Sequence, residues 1–186
     1  MKNQQKAIHF ICQTALGIAL VVLAQLLGKL FPAGAVVIGP LSVSQLITGS
    51  LVNCVLFVFA AQTGPLAGIC IGLFSSLLAF LLGIGPALVQ VVPVVACGNA
   101  LLAGLFGFSC SKGWKQEIAM VVCAVVKCAF LWAAVPAVIA SLGTVPAKQA
   151  AVMSAMFSWP QGVTALIGGV LALLILPRLK KARFNG

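Results

Sequence analysis

Residues 8–27 read IHFICQTALGIALVVLAQLL, an apolar run from Ile8 to Leu27 in which only His9, Gln13, Thr14 and Gln25 are distinctly polar. At a rise of 1.5 Å per residue, a helix of about 20 residues is about 30 Å long, the thickness of the hydrocarbon layer of a bilayer. Lys2 and Lys6 precede the run and imitate the start of a secretory signal. The run is longer than the roughly 7–15 apolar residues of a signal core, so it reads as a first membrane helix.

Similar runs fill the rest of the chain, separated by Gly, Pro and polar punctuation. The expected helices cover about 6–30, 41–61, 66–82, 87–110, 117–142 and 149–176. The breaks fall at Phe31-Pro32-Ala33-Gly34 through Gly39-Pro40, Gln62-Thr63-Gly64-Pro65, Gly83-Ile84-Gly85-Pro86, Ser111 to Gln116, and Gly143-Thr144-Val145-Pro146. This predicts one all-α domain over 1–186, a polytopic bundle of six transmembrane helices. The very short break at 62–65 leaves a re-entrant pair as the main topological alternative.

Composition points the same way. Of 186 residues, 62% are hydrophobic and 6% charged, against about 25% charged in a soluble domain. So few charges cannot coat a soluble globule, whereas lipid tolerates an apolar exterior. The net charge of +10 does not indicate a nucleic-acid partner. Lys2, Lys6, Lys112, Lys115, Arg178, Lys180, Lys181 and Arg183 lie between or beyond the apolar runs, not along one face. With the N-terminus in the cytoplasm, those eight fall inside, Lys29 and Lys148 fall outside, and Lys127 lies within a span. That is the positive-inside bias, and it places both ends in the cytoplasm.

Polar groups at membrane depth are costly and therefore informative. Asn53, Asn99 and Gln161 each lie about 12 residues from the outer end of their helices, and Lys127 about 10 from the inner end of its own, so all four are near mid-depth. Lys127 has no nearby acid; Glu117, the one acidic residue in the chain, is at the inner boundary of the same helix. Lys127 therefore either meets an anionic or carbonyl-rich substrate, or serves as helix glue or snorkels to an interface. Asn53 and Asn99 are ligand contacts or interhelical hydrogen bonds. Gln45 and Gln90 lie near the outer mouth, where water can satisfy them. Trp132 and Trp159 are stacking walls for a planar ligand or ordinary interfacial anchors. Pro160 should free a backbone carbonyl one turn back and kink the last helix. In the first helix, Ala15 and Ala19 stand four apart with Gly17 between, a spacing that lets another helix approach closely or arises by chance in an Ala-rich span.

Several chemistries are missing. No P-loop occurs, no carboxylate lies within a span, and one His with one Glu builds no hydrolytic site. The seven cysteines form no C-x-x-C and read as small buried hydrophobes. No enzyme activity, metal or cofactor is expected.

The stretches Leu46 to Asn53, Gly64-Pro65-Leu66-Ala67-Gly68, Pro93 through Gly98-Asn99, and Trp159-Pro160-Gln161-Gly162 through Gly168-Gly169 resemble the substrate-binding S component of energy-coupling factor (ECF) transporters. The resemblance covers nearly the whole chain. It implies a bacterial cytoplasmic-membrane subunit that captures a vitamin or related micronutrient in an outward-opening pocket. It also implies partners that supply the energy, namely a transmembrane coupling subunit and two ATPase subunits. In such proteins an Ala-x-x-x-Ala pattern on the first helix meets the coupling subunit, and Ala15 and Ala19 match it. The pocket it implies draws on Gln90, Asn99, Lys127, Trp159 and Gln161.

Overall fold

The computed structural model describes residues 2–31, 36–86 and 88–184. It is almost wholly helical: α1 Lys2–Gly28, α2 Val43–Thr63, α3 Pro65–Leu81, α4 Val92–Ser111, α5 Gln116–Leu142, α6 Ala147–Met156 and α7 Trp159–Phe184. Five segments are long and apolar enough to cross a membrane: Gln4–Gly28, Val43–Thr63, Val89–Ser111, Gln116–Leu142 and Ala147–Leu179, which contains α6 and most of α7. The 17 residues of α3 fall short of the roughly 20 that a perpendicular span needs.

Large apolar side chains face outward all round the bundle, including Ile11, Leu23, Val125 and Leu174. Gln25, Asn53, Asn99 and Lys127 are buried. An apolar exterior around an apolar interior that holds a few polar groups suits a multi-pass membrane bundle, with lipid outside and the polar groups sheltered within.

The elements begin and stop for local reasons. Ser42 caps α2, its hydroxyl accepting from the Gln45 N–H at 3.1 Å, which satisfies one of the helix's orphan donors. Gly64, at φ 102°, ends α2 and starts α3 in a single residue. Pro65 follows in the first turn, where its missing N–H costs nothing. Gly143, at φ 63°, closes α5 in the left-handed conformation.

Three features depart from the expected boundaries. Between α1 and α2 the chain forms a small antiparallel hairpin, β1 Val36–Ile38 with β2 Leu41–Ser42, where only a loop was expected. The turn residue Gly39 takes φ 55°, which Gly does without penalty. The fourth helix starts at Val92 behind a short 3-10 turn, Val89–Val91; its expected start, residue 87, lies outside the described residues. The last span is broken rather than kinked, with Phe157 and Ser158 separating α6 from α7. Pro160 offers no N–H to the carbonyl one turn back, that of Met156. Met156 instead accepts from the side-chain amides of Gln45 at 2.9 Å and Gln161 at 3.3 Å.

Short connections make successive helices antiparallel. The segments 29–31 with 36–42, 82–86 with 88–91, and 143–146 therefore gather at one end of the bundle, the loop end. The start of α1, Gly64, residues 112–115 and the last turns of α7 gather at the other, the terminal end. Glycines set how closely the helices pack. A Cβ on Gly72 of α3 would lie 2.7 Å from the Ala100 nitrogen of α4. One on Gly168 of α7 would lie 2.7 Å from the Asn53 Cβ and 2.8 Å from the Cys54 nitrogen of α2. These two seams bring Asn99 against α3 and Asn53 against α7.

Candidate functional site

The half of the bundle nearer the loop end is hollow. A cavity of about 830 Å³ is walled by the first half of α2, the second half of α3, the loop Ile84-Gly85-Pro86, the first half of α4, the middle of α5, the short α6 and the start of α7. Its walls are largely apolar, with Val52, Val95, Met153 and Phe157 among them.

The polar groups form two clusters. The first joins α5, α2 and α7. Lys127, only 2% exposed, donates from Nζ to the Asn53 Oδ1 at 2.6 Å. The Asn53 Nδ2 is in turn 3.5 Å from the Thr164 hydroxyl, which itself donates to the Gln161 carbonyl at 3.2 Å. The second cluster joins α1, α3 and α4. The Asn99 amide donates to the hydroxyls of Ser75 at 2.9 Å and Ser76 at 3.1 Å. Gln25 of α1 donates from Nε2 to the Ser75 carbonyl at 2.7 Å. Gln25, Asn53, Ser75, Ser76, Asn99 and Lys127 all line the cavity.

The electrostatics are one-sided. Lys127 lies at the depth of the clusters and Lys148 on α6 at the rim, and no carboxylate lines the cavity. Glu117, the one acidic side chain in the chain, is in the first turn of α5 towards the terminal end. The Lys127 ammonium therefore has an amide oxygen for its partner and no counter-charge. An ammonium carries three donors and no acceptor, and among the described residues one side-chain oxygen accepts from it, which suits Lys127 to an anionic group in the cavity.

Of the residues singled out from sequence, Asn53, Asn99, Lys127 and Gln161 come together on this cavity. Gln90, Trp132 and Trp159 do not. Gln90 sits exposed in the 3-10 turn ahead of α4. Trp132 is 66% and Trp159 44% exposed, and none of the three lines the cavity; the two tryptophans are turned outward by the rotation of their helices. Ala15 and Ala19 are exposed on α1, while Gly17 between them faces inward against Ile71 and Phe59.

The structure adds Gln25, Thr48, Ser75, Ser76, Lys148 and Gln149 to the lining. Gln25 and the Ser75-Ser76 pair were detectable in sequence as polar residues inside apolar runs, the same signal that identified Asn53. Lys148 was read as a topological charge, and only the separate α6 brings it to the rim.

Comparison of the chain with family models, with curated proteins and with solved structures finds no match to it.

Proposed function

We propose that this chain is the membrane-embedded substrate-binding subunit of an ECF-type importer in the bacterial cytoplasmic membrane. In this role it crosses the bilayer six times with both ends in the cytoplasm, and the loop end faces outward. It captures a vitamin or related micronutrient and hands it on with a coupling subunit and two ATPase subunits. The observation that carries the reading is the cavity of about 830 Å³, within the roughly 300–1,000 Å³ of small-molecule sites. It is apolar with a few convergent polar groups, the usual composition of such sites.

Two further features support it. Nucleotide-binding motifs and intramembrane carboxylates are both absent from the sequence, so the chain has means to hold a solute and none of the usual means to drive one. The strip of Ala15 and Ala19 is turned away from the bundle, so small residues are available for close approach by another helix. The basic residues at the terminal end support this orientation.

The test is mass spectrometry of the small molecule that leaves with the purified protein, followed by thermal stabilisation with a panel of vitamins. A ligand at 100 times its dissociation constant should add about 2.7 kcal/mol to the stability of the bound state. Absence of any bound molecule together with a flat panel counts against the reading. Ala19→Trp should reduce co-purification with ATPase and coupling subunits while leaving ligand stabilisation intact, measured on the same preparations. Loss of ligand binding with assembly preserved would be the reverse of the expected result.

A further inference from the structure

The two polar clusters differ in what they leave unused. At the first, Lys127 has one hydrogen-bond partner among the described residues, the Asn53 oxygen. That cluster therefore offers N–H donors and a positive charge. At the second, the Asn99 nitrogen is engaged by both Ser75 and Ser76, and the Ser75 hydroxyl donates to the Gly72 carbonyl at 2.7 Å. Because the Ser75 carbonyl can only accept, Gln25 must present its nitrogen there, and its oxygen points elsewhere. That oxygen has no partner among the described residues and is closed off from the cavity, on a side chain 3% exposed. What the second cluster leaves unused is uncharged and of both kinds: the Asn99 oxygen as acceptor, and the Ser76 hydroxyl hydrogen and one Gln25 N–H as donors. No hydrogen bond joins the clusters among the described residues, and apolar wall lies around them.

We propose that the cavity takes a monoanionic organic acid whose other end is neutral and polar, with the carboxylate on Lys127 and Asn53 and the neutral group on Asn99 and Ser76. The inference rests on the solute-binding reading above and narrows it. A cation is excluded by the same arrangement, since two lysines and no acid line the cavity. A dianion would leave one charge unmatched at depth, because Lys127 is buried whereas Lys148 sits exposed at the rim. The hydrocarbon part of the solute lies against Val52, Val95, Met153 and Phe157.

The experiment compares acids with their neutral counterparts on the full chain in nanodiscs. The probes are nicotinate with nicotinamide, pantothenate with panthenol, and biotin with biotin amide, with thiamine as the cation. One acid should bind about 100-fold more tightly than its neutral partner. Lys127→Gln, whose amide can still donate to the Asn53 oxygen, should bring the pair to within about tenfold by weakening the acid alone. Ser76→Ala should weaken both members of the pair by about tenfold. Binding of a neutral or cationic probe at least as tightly as any acid, unaltered by Lys127→Gln, overturns this inference and leaves the solute-binding reading standing. If no probe binds and nothing co-purifies, both fall. The wild-type comparison needs no variant, so it decides the matter even where Lys127→Gln does not fold.

Discussion

Asn53→Leu should lower the melting temperature of the purified protein by roughly 10 °C, because it removes the partner of a buried charge. Leaving a buried donor without its partner costs about 1–3 kcal/mol, and more for a charged group, and each kcal/mol shifts a protein of this size by about 2–4 °C. Here the orphan is the Lys127 ammonium, 2% exposed, whose hydrogen bond to Asn53 is 2.6 Å long. The double variant Asn53→Leu/Lys127→Leu separates structure from function. Replacing both partners by apolar groups of similar size is often neutral or stabilising, so the double variant should regain most of the lost stability. It should nonetheless hold no solute. A double variant that binds as wild type does would reduce the pair to helix glue, and a single variant as stable as wild type would mean that Lys127 finds another partner.

Gly168→Val should leave little monodisperse protein after detergent extraction. The obstacle at Gly168 is mostly α2 itself, with the Cys54 nitrogen 2.8 Å and the Asn53 Cβ 2.7 Å from an added Cβ. Backbone cannot swing aside as a side-chain tip does, so α2 and α7 must separate. Overpacking of this kind costs about 1–3 kcal/mol and occasionally more, and here it also displaces Asn53 from Thr164. Gly104→Ala is the internal comparison. The nearest atoms there belong to the Ile69 side chain, at 2.9 and 3.0 Å, and they can yield. Size-exclusion profiles and melts of Gly168→Ala and Gly104→Ala should rank in that order of damage; equal behaviour would mean that the α2–α7 seam is looser than its geometry.

Depth along a helix follows from counting residues; direction about its axis does not. That difference explains which parts of the site were legible in the sequence. Asn53, Asn99, Lys127 and Gln161 could be placed at one level by counting, and the apolar runs located the helices around them. Trp132 and Trp159 lie on the same helices as cavity residues, yet their side chains are exposed because packing sets the rotation. Gln90 fails for a different reason: a 3-10 turn precedes α4 and resets the helical phase just where Gln90 stands. The break at Phe157-Ser158 was half visible. Pro160 marked the carbonyl that would lose its partner, but nothing local marked Gln45 as the side chain that reaches Met156 from 111 positions away. Gln25 sat in plain view within the opening run, and only its bond to Ser75 connects it with α3.

The half of the bundle towards the terminal end gives the cavity its meaning. Below Asn53, α2 runs through Cys54 to Ala61 without a polar side chain, and α7 does the same from Ala165 to Leu176. Phe57 and Phe106 meet edge to face there, with ring centroids 4.7 Å apart. The ten residues that follow Asn53, from Cys54 to Thr63, amount to about 15 Å of helix. Beside them lies a second cavity of about 630 Å³, between α1, α2 and α7, with His9, Gln13, Gln62 and Thr63 in its lining. The two hollows share no lining residue and come together only at the neighbouring positions Asn53 and Cys54 of α2, so a solute in the first reaches the second only if the packing at that step is rearranged.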